Sequence, residues 1–134
     1  MDNDVFKIEI SSAYERLWCY NMAVTCGCFD EHDNRTDFVA AEDFVAHVGS
    51  NLGAKPDGYD LPRVLAFEAA ACDHLLMYIY LVPHTLPSGR DIADTEPFDL
   101  RVRIARGGGM LVDRIFKINC WSGASIELRV PRLK

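Results

Sequence analysis

The last third of this sequence limits its folding most. Phe98, Leu100, Val102 and Ile104 alternate with Asp99, Arg101 and Arg103, and after Gly107-Gly108-Gly109 a second run from Met110 to Ile118 continues the alternation. A repeat of two belongs to a strand with one buried face, and a glycine triplet between two such runs accepts the positive φ of a tight hairpin at little cost. With Arg106 opposite Met110 across a three-residue loop, Ile104 faces Val112, Leu100 faces Phe116 and Phe98 faces Ile118. Asp99 then lies opposite Lys117 and Arg103 opposite Asp113, two complementary pairs that contribute roughly 0.2–1 kcal/mol each. A slip of one residue would turn Lys117 and Asp113 into the core. Ser122-Gly123-Ala124 reads as a second hairpin loop that returns Ile126, Leu128 and Val130 opposite Cys120, Ile118 and Phe116. The expectation is a three-stranded antiparallel meander over 98–131.

One residue does not fit that register. Arg114 falls on the inner face beside Val102. Because a lone buried charge costs several kcal/mol, its natural partner is Glu68, the corresponding misfit upstream, unless each side chain sits at the rim and reaches water.

Upstream, Phe6, Ile8 and Ile10 alternate with Lys7 and Glu9, which predicts a strand over 5–10. Ser12 and Glu15 match a capping box ahead of Tyr14, Leu17, Trp18 and Met22, predicting a helix from about 12 to 25, although Trp18, Cys19, Tyr20 and Val24 would also suit a strand. Thr36 can cap a second helix through Phe38, Ala41, Val45, Val48 and Leu52, spaced by threes and fours. Asp60, with Pro62 in the first turn, can cap a third that carries Leu61, Val64, Leu65, Cys72, Leu75, Leu76 and Ile79 and stops by Pro83; residues 77–82 read equally well as a strand. Residues 83–97, with Pro83, Pro87, Gly89 and Pro97, read as a surface loop. The fold class expected is α+β: an N-terminal strand, two to three helices, and a meander packed against them, all within a single domain spanning 1–134.

Composition narrows the setting. The acidic start, Met1-Asp2-Asn3-Asp4, lacks the pattern of a secretory signal, and five cysteines without framework spacing suit reduced thiols, so a cytoplasmic protein is expected. The apolar stretch Val64–Val82 includes Glu68, Asp73 and His74, which argues against a membrane span because ionised groups cost roughly 2.5–3.5 kcal/mol each at mid-bilayer. A net charge of −6 argues against general nucleic-acid binding. The average conceals a polarity, since residues 1–100 carry a net −12 and residues 101–134 a net +6.

Three candidate sites follow. Arg101, Arg103, Lys117 and Arg129, with Trp121, form a basic surface on the outer face of the expected meander; one aromatic is too few for a sheet that stacks bases, and Asp99, Asp113 and Glu127 would partly neutralise it. Asp30, Glu31, Asp33, Asp37, Glu42 and Asp43 form an acidic surface in the helical part, of the kind an immunity-type protein uses to mask a basic partner. Cys26, Cys28 and His32 supply zinc-type ligands, with Cys72 or His74 able to complete a set, but lack the usual knuckle spacing. Cys72-Asp73-His74 lists nucleophile, acid and base, yet neighbours on a helix point about 100° apart and form no triad. No catalytic residue and no cofactor are indicated.

The opening, Phe6-Lys7-Ile8-Glu9-Ile10 through Ser11-Ser12 into Tyr14-Glu15 and on to Thr25-Cys26-Gly27, resembles the start of small uncharacterised proteins encoded in structural-gene modules of gut-bacterial prophages. The resemblance covers the first quarter and implies a role in virion or mobile-element assembly. With the charge polarity, it leads to the expectation of a non-catalytic interaction or assembly module whose partner is a second copy or a neighbouring component, held through oppositely charged surfaces.

Overall fold

The computed structural model describes residues 5–50, 52–59, 62–86 and 96–130. Its eight strands are β1 (Phe6–Ser12), β2 (Tyr20–Phe29), β3 (Arg35–Asp43), β4 (Arg63–Ala69), β5 (His74–Pro83), β6 (Phe98–Arg106), β7 (Gly109–Ile118) and β8 (Ala124–Val130), with one turn of 3-10 helix at Leu17–Cys19. They form two four-stranded antiparallel sheets, a first in the order β4-β1-β6-β7 and a second in the order β3-β2-β5-β8. The inner faces share one core, in which Phe6, Ile8, Ile10, Leu100, Val102 and Ile104 of the first sheet meet Val24, Cys26, Leu75, Met77, Ile79 and Leu81 of the second. This is a β-sandwich, and the expected α+β class is overturned.

The helical signals fail for local reasons. Ser12 does accept a backbone N–H, but from Tyr14 two residues on (3.2 Å), while its own hydroxyl donates to the Asp99 carbonyl (2.8 Å). That closes a turn against β6 where a cap would have started a helix. Thr36 donates to the Cys28 carbonyl across the β2–β3 hairpin (3.3 Å). The three-and-four spacing that follows it does not form one buried face, for Val45 and Leu52 pack against the core while Phe38 is 50% and Val48 70% exposed. The third expected helix is instead β4, a turn and β5; its proposed cap Asp60 and the first of its apolar residues, Leu61, lie outside the described residues. Of the expected loop over 83–97, Pro83 closes β5 and residues 87–95 lie outside the described residues.

The β6–β7 register is as expected from Phe98↔Ile118 to Ile104↔Val112, including Asp99↔Lys117 and Arg103↔Asp113. At the tip the expectation needs correction. Arg106 pairs with Gly109, not Met110, across a two-residue turn in which Gly107 and Gly108 both have positive φ (56° and 83°), and a bulge after Ile104 absorbs the offset.

The meander itself does not exist. β8 pairs with β5 in the second sheet, Ile79↔Ile126, Met77↔Leu128 and Leu75↔Val130, and meets the end of β7 only through the bridge Asn119↔Gly123. Asn119 makes the corner: its Oδ1 accepts the N–H groups of Trp121 (2.8 Å) and Ser122 (3.0 Å), and Gly123 N donates to its carbonyl (2.9 Å). Gly123, at φ 71°, then passes so close to β5 that a Cβ would stand 2.0 Å from the Leu81 carbonyl oxygen. Leu128 and Val130 still face inward, against a different sheet from the one expected.

The proposed Glu68–Arg114 pair does not form. Glu68 lies on β4 and Arg114 on β7, the two opposite edges of the first sheet, and both are exposed. Arg114 sits opposite Val102 as its register requires, but on an edge strand that position is a rim, where the guanidinium lies 4.7 Å from the centre of the Phe116 ring. The pair that does join the sheets is Arg63 of β4 with Asp43 of β3, held by two hydrogen bonds of 2.8 and 2.9 Å beneath Tyr59.

Candidate functional site

Each sheet turns one face to the core and one to the outside, and the two outer faces differ in kind. On the first sheet the outward positions of the central strands are Lys7, Glu9 and Ser11 of β1 and Asp99, Arg101, Arg103 and Ala105 of β6. Their charges are matched across strands. Arg101 clamps Asp113 with two 2.8 Å hydrogen bonds, Lys117 bonds Asp99, and Arg103 lies 3.8 Å from Glu9 and 4.0 Å from Asp113. The Arg101 hydrogen bonds hold the Asp113 carboxyl below its ordinary range. This is a neutralised, solvated face.

The basic surface read from the sequence is therefore divided. Arg101, Arg103 and Lys117 stand on this face, each beside a carboxylate. Arg129 stands on β8 in the other sheet, 3.2 Å from Glu127, and Trp121 is half-buried in the turn between β7 and β8. The sequence polarity disappears with it, since β6 and β7 belong to one sheet and β8 to the other.

The acidic surface divides as well. Asp30, Glu31, Asp33 and Asp37 gather at the β2–β3 hairpin, where Asp30 accepts backbone N–H bonds from His32 (2.8 Å) and Asn34 (2.9 Å). The Asn34 bond is the main reason its carboxyl lies below the ordinary value. Glu42 and Asp43 lie at the far end of β3, and Asp43 is already engaged by Arg63.

Cys26 and Cys28 point into the core from β2, whereas His32 is exposed in the hairpin turn, so the proposed ligand set is not brought together. Burial pushes both thiols up to about 12, which leaves them protonated and unreactive near neutrality. His74 faces outward between Asp73 (2.7 Å) and Asp33 (3.0 Å) and stacks on Phe29. Among the described residues no three His, Cys, Asp or Glu side chains are placed to hold a metal ion. A surface cavity of about 650 Å³ beside the β6–β7 tip is lined by Lys7, Glu68, Arg106 and the three glycines, with no Ser, Thr, Cys or His in its lining.

The second sheet presents the other kind of face. The outward positions of its central strands are Asn21, Ala23, Thr25, Gly27 and Phe29 on β2 and His74, Leu76, Tyr78, Tyr80 and Val82 on β5, with no Asp, Glu, Lys or Arg among them. Phe38 and Ala40 of β3 extend this surface past β2. Phe38 is 50%, Tyr80 38% and Val82 42% exposed. A strand that is apolar on both faces belongs in a sheet covered on both faces, yet Ala23, Tyr80 and Val82 are exposed here. The sequence did not mark these residues as one outward surface: Phe38 and Leu76 were read as apolar faces of helices and His74 as a possible zinc ligand. The available signal was the loss of alternation in β2 and β5, where apolar residues occupy both parities.

Neither a comparison with protein-family models nor one with curated proteins gives a match. Among solved structures the chain is similar to the crystal structure of a DUF4425 family protein from Bacteroides ovatus, at 6% identity and a TM-score of 0.41, over 94% of this chain and 91% of that one. A likeness this low carries no argument about function. No helix of the described residues is long and apolar enough to cross a membrane.

Proposed function

We propose that this chain is a non-catalytic protein–protein interaction module, an assembly component that binds through the outer face of the β3-β2-β5-β8 sheet. One observation carries the reading: ten outward positions on two central strands hold no Asp, Glu, Lys or Arg, while the corresponding positions of the other sheet alternate matched charges. Exposing such a face to water forgoes the gain of about 25 cal/mol for each Å² of apolar surface that a partner would bury. The driving force is therefore apolar burial. Contact between oppositely charged halves of the molecule has no support in the fold, because those halves are interleaved. The reading does not rest on the likeness of the first quarter to prophage structural proteins.

The test is recovery of the chain at natural abundance from its own host, under gentle conditions, with the mass of the intact complex measured. The expected result is an assembly heavier than the 15.1 kDa chain that is lost when Ala23→Arg places a charge on the apolar face. A chain recovered alone, or a complex indifferent to Ala23→Arg, would overturn the reading.

A further inference from the structure

We propose that Cys28 and Cys72 are a disulfide-forming pair, closed by exchange with a low-molecular-weight disulfide that enters at Cys72, and that the bond forms without disturbing the fold. Three observations converge on this pair, and none depends on the interaction face.

The first is access. All five cysteines are free thiols; Cys19, Cys26, Cys28 and Cys120 are buried, and Cys72 alone is partly exposed. It stands in the turn between β4 and β5, packed against the core. A reagent from solution therefore meets this thiol first.

The second is contact. The Cys28 and Cys72 side chains are hydrogen-bonded to each other. The Cys72 thiol also donates to the His74 carbonyl (3.4 Å). A thiol has one proton to give, so within the pair Cys28 donates and the Cys72 sulfur accepts. Two sulfurs already in hydrogen-bonding contact need only a short further approach to the roughly 2.05 Å of a disulfide, and a χ1 rotation on either side supplies it. Cys26, which precedes Cys28 on the inward side of β2, lies within range of the Cys72 charge and is the competing partner.

The third is the backbone beneath the sulfurs. Asp73 donates its N–H to the Phe29 carbonyl (2.9 Å), so the residues that directly follow the two cysteines are tied together. Phe29 also pairs with His74, and their rings stack at 5.5 Å. The two segments are thus held side by side before any bond forms.

The Cys72 thiolate attacks one sulfur of the reagent, whose S–S bond breaks, and the departing thiolate takes up the proton that Cys72 gave up. Cys72 then carries a mixed disulfide. The Cys28 sulfur attacks the Cys72 sulfur, loses its proton, and expels the second half of the reagent as a thiol. Two electrons have passed from two cysteines to the reagent, which ends as two thiols. Burial keeps Cys28 protonated and inert toward a reagent in bulk water. The mixed disulfide, however, is presented to it in contact, where an effective concentration on the order of 10⁵ M offsets the scarcity of its thiolate. The finished bond ties β2 to the β4–β5 turn and closes a loop of about 45 residues, which constrains the unfolded chain more than the folded one.

The experiment incubates the reduced full chain with oxidised glutathione in native buffer and measures intact mass, thiol count and cross-linked peptides. The expected result is loss of two of the five thiols, a single cross-link joining Cys28 to Cys72, and a melting temperature raised by about 5–10 °C. Cys72→Ser should take up no glutathione, and Cys28→Ser should stop at one glutathione on Cys72. The wild-type cross-link map needs no substitution, so it decides the matter even where Cys28→Ser fails to fold. Five thiols retained, a wild-type adduct on Cys72 that never closes, a cross-link from Cys72 to Cys26, or a melting temperature lowered by oxidation would overturn the inference.

Discussion

His84 illustrates how a residue without a sequence signature acquires a task in the fold. It is 1% exposed, its Nε2 lies 2.7 Å from the Trp18 carbonyl, and its Nδ1 lies 2.7 Å from the Thr85 hydroxyl. A carbonyl only accepts, so Nε2 carries the proton; in the neutral ring Nδ1 then accepts from Thr85, whose oxygen in turn accepts the Leu52 N–H at 2.8 Å. The chain of bonds ties the segment after β3 to the end of β5 and to the 3-10 turn. His84→Ala would strand the Trp18 carbonyl and the Thr85 hydroxyl in the interior, and a loss of about 2–6 kcal/mol in urea unfolding is expected, at about 1–3 kcal/mol for each unsatisfied group. No sequence pattern links residues 18, 52 and 84, so this network was illegible beforehand. Cys26 and Cys28 show the reverse: their ligand chemistry was legible, and their inward position on β2 cancels it.

Among the elements, the β6–β7 hairpin was read correctly through most of its length because three independent local constraints agreed: alternation, a glycine tip and complementary cross-strand charges. β8 was read with the right inward residues and the wrong partner. Alternation settles which face is buried; the pairing is settled by where the chain turns, and that depends on Asn119 and Gly123. Gly123→Ala puts a Cβ against the Leu81 carbonyl and strains a left-handed backbone, so it should destabilise the protein by more than the roughly 1 kcal/mol typical of an Ala placed at positive φ. A denaturation midpoint equal to the wild type would refute that account of the corner. β3 and β4 were mistaken for helix because helical spacing can arise by chance in short apolar segments, and tertiary pairing outweighs such local preference.

At the scale of the whole molecule, the core sets a limit on alkaline stability. Burial raises Tyr14 and Tyr59 from 10.0 to about 12, raises Tyr20 further, and raises Cys26 and Cys28 from 9.0 to about 12. The unfolded chain ionises these groups first, so it binds fewer protons than the native state over that interval and stability falls with rising pH. Below about pH 9 they have no effect. The melting temperature should drop steeply between about pH 9 and 12, with tyrosinate absorbance from the buried rings appearing together with unfolding; free ionisation of those rings in the folded protein would contradict this.

What the sequence determined by itself was local: which residues of β1, β6 and β7 face inward, the hairpin between β6 and β7, and the ion-paired character of one outer face. Those follow from period two and from neighbours a few residues away. The tertiary structure alone decided that β8 joins β5, that the charged segments interleave, and that β2 and β5 lie side by side at the centre of one sheet. The physical reason is that a strand apolar on both faces loses the alternation that identifies strands, so the feature that makes the candidate surface is the one that disguised β2 and β5 as helix.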